Sequence, residues 1–167
     1  MQLGNPGASN INLLYSDTSV LRNEDFVVGN GNAFYGGKWV PAQATKYSAA
    51  QLHNPIASLV TVFLDQIIIT VDTAQFVQVV AGSLELATIS NNEGNKDLIQ
   101  VVGSGVVKFE QASGIHSGPR LQLNLAAGIP FVLTPKFPWK INADEQITVQ
   151  GETVNTGLTA SFMWREI

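Results

Sequence analysis

The stretch Gln51–Val71, QLHNPIASLVTVFLDQIIITV, is the most apolar in the chain and constrains its fold most strongly. A membrane-crossing helix needs about 20 apolar residues with few charges. Here Asp65 and Gln66 interrupt the run, Asn54-Pro55 blocks its front and Asp72 closes it. A helix fits poorly as well. Val60, Thr61, Val62, Ile67, Ile68, Ile69, Thr70 and Val71 are β-branched, stiff at χ1 and suited to a pleated sheet. Read as a strand, the apolar series runs Val60, Val62, Leu64 and then Ile67, Ile69, Val71, so its parity changes across Asp65-Gln66. One extra residue is what a β-bulge inserts, and a shift of one turns later side chains to the opposite face. The expectation is one long bent strand, or two strands across a kink. Asn54-Pro55 would set its start, because proline lacks the ladder N–H. The halves would face two apolar surfaces in succession, the second belonging to a neighbouring subunit.

Similar alternation recurs downstream. Leu158, Ala160, Phe162 and Trp164 alternate with Thr159, Ser161, Met163 and Arg165, and Leu121, Leu123 and Leu125 alternate with Gln122 and Asn124. Ile129, Phe131 and Leu133 form a third series, and Ile147 and Val149 a fourth. Further strands are predicted at Gln75–Val80, Ser83–Ile89, Leu98–Val102 and Val106–Glu110. Turn signals such as Asn91-Asn92-Glu93-Gly94-Asn95, Ser117-Gly118-Pro119 and Asn155-Thr156-Gly157 separate them. No helical period of ten residues is present. The pattern predicts an all-β fold, an antiparallel jelly-roll β-sandwich of about eight strands over residues 48–167. Residues 1–47 carry only short apolar islands: Ile11–Tyr15, Phe26–Val28, Phe34-Tyr35 and Trp39-Val40. Islands this small build no core of their own, so residues 1–47 are expected to form an extended N-terminal arm with short added strands. Of its side chains, Ile11, Leu13, Leu14, Tyr15, Phe34, Tyr35 and Trp39 are the expected partner contacts.

Charged residues make up only 13 % of the 167 residues, with a net charge of −4, about half the share usual in soluble domains. The nine basic residues are scattered, leaving no cluster to track a phosphate backbone, which argues against nucleic-acid binding. Cysteine is absent, excluding disulfides, thiol catalysis and Cys-ligated zinc. The beginning MQLGNPGASN lacks the basic start and apolar core of a signal peptide, which predicts synthesis in the cytoplasm without classical secretion.

Catalytic chemistry finds little footing. His53 and His116 are the only histidines, and neither has the spacing of a jelly-roll metal site. Ser104, between Gly103 and Gly105, lacks the Gly-x-Ser-x-Gly pattern of a nucleophile elbow and reads as structural. Glu85, Asp97, Glu110, Asp144, Glu145, Glu152 and Glu166 are candidates for a carboxylate pair, but a solvated face explains them more simply. Gly29-Asn30-Gly31-Asn32 and Gly36-Gly37 match no phosphate loop and read as flexible turns. Tyr15, Phe34, Tyr35 and Trp39 would serve either as a sugar-stacking platform or, the commoner use, as packing aromatics. The expectation is a protein without enzymatic activity, cofactor or metal.

Three segments together carry a resemblance. They are Gln51-Leu52-x-Asn54-Pro55-x-x-Ser58 running into the long apolar strand, Ile129-Pro130-Phe131 leading toward Ile147-Thr148-Val149-Gln150, and the terminal Leu158–Ile167 with Trp164-Arg165-Glu166. The combination resembles small jelly-roll virion proteins of tailed phages, found as capsid decoration proteins or head and tail accessory proteins. It covers roughly residues 48–167, with Ile56 and Leu59 standing where small residues are common. The resemblance implies a capsid decoration (cement) protein, made in the host cytoplasm and acting on the capsid surface of the virion. It would associate as a homotrimer, with the major capsid protein as partner and no membrane. The alternative is a receptor- or glycan-binding module of a tail or head appendage, using loops around Ser113–Arg120 and Asn91–Lys96.

Overall fold

A computed structural model describes residues 33–82, 85–89, 94–95 and 103–167. Among these residues there is no helix, and the strands are β1 (Ala33–Val40), β2 (Tyr47–Asn54), β3 (Val62–Val71), β4 (Gln75–Ala81), β5 (Thr88–Ile89), β6 (Gly94–Asn95), β7 (Val106–Ala112), β8 (Arg120–Leu125), β9 (Phe131–Leu133), β10 (Trp139–Ile141), β11 (Glu145–Gly151) and β12 (Leu158–Glu166). They form two antiparallel sheets. Sheet A has the order β10-β3-β12-β1-β6, with β9 also on β3, and sheet B has the order β5-β7-β2-β11-β4-β8. The sheets share one core. Phe34, Leu64, Ile67, Ile69, Phe162 and Trp164 from sheet A meet Leu52, Val77, Val79, Val107 and Val149 from sheet B. The expected all-β sandwich is therefore present.

The apolar stretch that fixed this expectation is divided between the two sheets. Gln51–Asn54 ends β2 in sheet B, and Val62 starts β3 in sheet A. Asn54-Pro55 thus closes one strand rather than opening the next. The Asn54 amide donates to the carbonyls of Val60 and Ile141 at 3.0 and 3.1 Å, and the Ser58 N–H reaches the Pro55 carbonyl at 2.8 Å. These bonds tie the solvent-exposed turn after β2, with Ile56 and Leu59 on its outside, to the end of β10.

Within β3 the register break falls where the parity change predicts it. Gln66 pairs with Met163 and Leu64 with Trp164, leaving Asp65 as the extra residue. The bulge does not turn the strand toward a second surface, however. Val62, Leu64, Ile67, Ile69 and Val71 all lie in the same core. Asp65 and Gln66 both point outward, so the number parity changes while the buried face stays the same. Asp65 is anchored there by a bidentate pair with Arg165, at 2.9–3.1 Å, the geometry in which arginine holds a carboxylate best.

Residues 33–40 of the expected arm are built into the sandwich. All eight residues of β1 pair with β12, and Phe34 and Val40 enter the core. Gly36-Gly37 accordingly lies within a strand rather than a turn. The predicted strands at Gln75–Val80, Val106–Glu110 and Leu121–Leu125 are present; within Ser83–Ile89 only Thr88–Ile89 is a strand among the described residues, and Leu98–Val102 lies outside them.

A candidate interaction surface on sheet A

Successive side chains of a strand point to opposite faces, and β1 shows the result at its clearest. Phe34 is 3 % exposed and its ring stacks on Trp164 with centroids 5.8 Å apart. Tyr35 and Trp39 face outward, 43 % and 55 % exposed. Of the expected partner contacts, Tyr35 and Trp39 are therefore available on the outer face of sheet A, and Phe34 is not, because its face is the core. Ile11, Leu13, Leu14 and Tyr15 lie outside the described residues.

The pairing builds this outer face as a grid. Tyr35 stands opposite Met163, Gly37 opposite Ser161 and Trp39 opposite Thr159; the next strand adds Gln66, Ile68 and Thr70 beside them. None of these nine residues is charged. Between the two aromatics runs a trough of about 450 Å³ with Gly37, Ser161, Met163 and Ile68 in its lining. Gly37 is required by close approach: a Cβ there would lie 2.5 Å from Ser161 Oγ and 3.0 Å from the Ala160 carbonyl oxygen. The outward row on β12 was legible in the alternation of Thr159, Ser161 and Met163. What alternation does not record is that β1 lies beside it and sets Tyr35 and Trp39 along its flank.

The outer face of sheet B is the opposite case. Gln51, His53, Gln78, Thr148 and Gln150 are buried. Residues 85–86 and 114–116 cover part of this face. Gln51 accepts from the Leu86 N–H at 3.0 Å and donates to Thr148 Oγ1 at 2.8 Å. Gln150 accepts from the His116 N–H at 2.8 Å and donates to the Gly114 carbonyl at 2.9 Å. The loop at Ser113–Arg120, expected in the alternative reading to bind ligand, is thereby tied to its own sheet.

The histidines and carboxylates singled out in the sequence sit largely in this polar layer or in turns, and the carboxylates lie nearest the histidines as single neighbours rather than as clusters. His53 Nδ1 lies 3.4 Å from Glu85 Oε1, and His116 Nε2 lies 3.5 Å from Glu110 Oε1. The strand register separates the two histidines: His53 stands opposite Gln146, whereas His116 contacts Gln150, four residues or about 13 Å further along. Burial lowers the His53 pKa from its ordinary value; Lys108 pushes the same way, against Glu85 and Asp144. Glu85 accepts a hydrogen bond from Lys108, which holds its carboxyl below the usual carboxylate range. Glu145 accepts from Asn142, and Glu152 from Gln122. Asp97 lies outside the described residues, as does Gly29–Asn32. No group of three metal-ligating side chains occurs among the described residues.

Glu166 explains the Gly103-Ser104-Gly105 segment. Its buried carboxylate accepts from the N–H groups of Ser104 and Gly105 and from Trp164 Nε1, at 2.8–3.0 Å. A Cβ at Gly103 would stand 2.7 Å from Glu166 Oε1, and one at Gly105 would stand 2.9 Å from Trp164 Nε1. The glycines let the backbone reach the carboxylate, and Ser104 contributes its main chain to that anchor.

No protein-family model matches the chain, nor does any curated protein or solved structure.

Proposed function

We propose that the chain is a structural virion protein, a capsid decoration protein that binds across capsomers as a homotrimer without performing catalysis. The observation that carries this reading is the outer face of sheet A, which no segment among the described residues covers. Centres of protein interfaces are depleted in charge and enriched in aromatic residues and methionine, and Tyr35, Trp39 and Met163 sit together in an uncharged grid. The strand order supports the jelly-roll part of the reading. Pairings nest as β1 with β12, β2 with β11, β3 with β9 and β10, and β4 with β8, the pattern of a long hairpin rolled into two sheets, with β5, β6 and β7 as additions. The partners are further copies of the chain and a major capsid protein.

The test is co-sedimentation of the full-length protein with undecorated phage shells. Tyr35→Ala/Trp39→Ala should weaken binding by at least about tenfold, as expected when hot-spot aromatics are truncated. Saturation of shells at wild-type concentrations would overturn the reading. A deletion probing the arm must stop at residue 32, because β1 is part of the sandwich.

A second reading, a glycan-binding appendage module, is favoured by the trough itself. Its flanking Tyr35 and Trp39 rings and the Ser161 hydroxyl combine apolar stacking surface with a polar handle. Binding of the isolated protein to host cells, lost in Trp39→Ala and accompanied by no affinity for shells, would select it.

A further inference from the structure

The sandwich is open along one side. β8 is the last strand of sheet B, paired with β4 in unbroken register over all six residues and bordered on its other side by no strand among the described residues. Every second residue of such an edge turns its N–H and C=O away from the sheet, which makes it a template for a further strand. Edges are usually guarded by lysine, proline or a bulge, and the sequence of β8, RLQLNL, carries none of these. Directly beside it the two sheets part around a cleft of about 880 Å³. Val79, Leu121, Trp139 and Ile147 give the cleft an apolar lining, and Phe137 stands beside them 74 % exposed. Leu121 pairs with Val79 on the core face of sheet B, yet it is 41 % exposed where Val79 is 4 % exposed.

We propose that this edge is completed by an extended segment of a partner protein, apolar at alternate positions and carrying a carboxylate. A strand added about 4.8 Å beyond β8 continues sheet B, and every second one of its side chains falls on the core face, over the cleft. Main-chain bonds then give affinity, and the pocket under alternate side chains gives specificity. The charge follows from the lining. Arg120, Lys136 and Lys140 belong to it and no carboxylate does, so an acidic residue is favoured there and a basic one disfavoured. A second copy of the chain matches this less well. β8, β9, β10 and the stretch Gly36–Val40 of β1, which β6 does not cover, contain no carboxylate. Glu110 of β7 lies 3.5 Å from His116 of its own chain. Docking at β8 leaves Tyr35 and Trp39 free and does not depend on which partner the sheet A face binds.

Selection of a display library of short random peptides on the full-length protein tests this. Enriched peptides should be apolar at alternate positions and contain Asp or Glu. A synthetic copy of the leading peptide, followed by fluorescence anisotropy, should bind Leu121→Asp at least about tenfold more weakly and Lys136→Glu/Lys140→Glu several-fold more weakly. Its affinity for Tyr35→Ala/Trp39→Ala should be unchanged. N-methylation of alternate peptide amides should abolish binding in one frame and spare it in the other, because only one set of amides faces β8. Lys136 and Lys140 are both exposed, so their double variant decides the matter should Leu121→Asp unfold. Enrichment of no peptide, of peptides without alternation or carboxylates, or of a peptide indifferent to these substitutions would overturn the proposal. So would oligomers of the protein alone that dissociate on Leu121→Asp, which would assign the edge to a second copy.

Discussion

The outer faces of the two sheets are built from similar residue types and have opposite fates. Sheet B presents Gln51, His53, Gln78, Thr148 and Gln150, all buried. Sheet A presents Tyr35, Trp39, Ser161 and Met163, with its two aromatics the most exposed of the four. The polar face is the covered one, because amide side chains offer donors and acceptors to the backbone of passing loops, and Gln51 and Gln150 each bind a loop in this way. The face richer in aromatics is uncovered because no described segment crosses it. Amide side chains therefore mark where sheet B binds its own loops, while Tyr35 and Trp39 on sheet A, like Phe76 at the far side of sheet B, stay exposed among the described residues.

The largest test of this contrast is Gln150→Leu. The substitution keeps the volume but removes the partner of the His116 N–H, the Gly114 carbonyl and the buried Gln78 amide, and a hydrogen bond of this kind contributes about 0.5–1.5 kcal/mol. A loss near 3 kcal/mol by urea unfolding is expected, and a loss below about 0.5 kcal/mol would mean the loop is not pinned through Gln150. A smaller effect should come from pH. The folded-state pKa of His53 is lowered by its burial, so the unfolded chain takes up the proton first. Stability from this group is complete above pH 6.5 and declines as pH falls below 6.5 toward the depressed folded value. His53→Gln should flatten that limb of the stability profile measured between pH 7.5 and 5.5; an unchanged slope would assign it to other groups. Glu85, also lowered, acts in a more acidic window, its stabilisation being lost as pH falls below its ordinary value of 4.5. The smallest effect is expected on sheet A, where Trp39→Ala and Tyr35→Ala should each change stability by no more than about 0.5 kcal/mol. A loss above 2 kcal/mol from either would show that these aromatics serve the fold rather than a partner.

Much of the fold was legible because alternation is a local record of burial on one side. It located β4, β7, β8, β11 and β12 within a few residues. It did not reveal β2, whose sequence YSAAQLHN has no β-branched residue. Seven of its eight residues are buried, since the core covers one face while polar side chains and loops cover the other. Two-sided burial by distant segments leaves no period of two. β10, Trp139–Ile141, is too short to carry a pattern. The outward side of β12 in the candidate surface was readable, whereas the Tyr35–Trp39 flank depended on β1 joining the sheet.

The sequence by itself determined that the chain is all-β and that a register break falls at Asp65-Gln66. Stiff β-branched residues and a change of parity are local facts. Only the tertiary structure decided what the break accomplishes. A change of parity predicts a flipped strand if each residue advances the pleat by one step, but here Asp65 and Gln66 share the outer side while Leu64 and Ile67 share the core. The Asp65–Arg165 pair across strands holds that arrangement, and a partner 100 residues away is invisible to any local pattern.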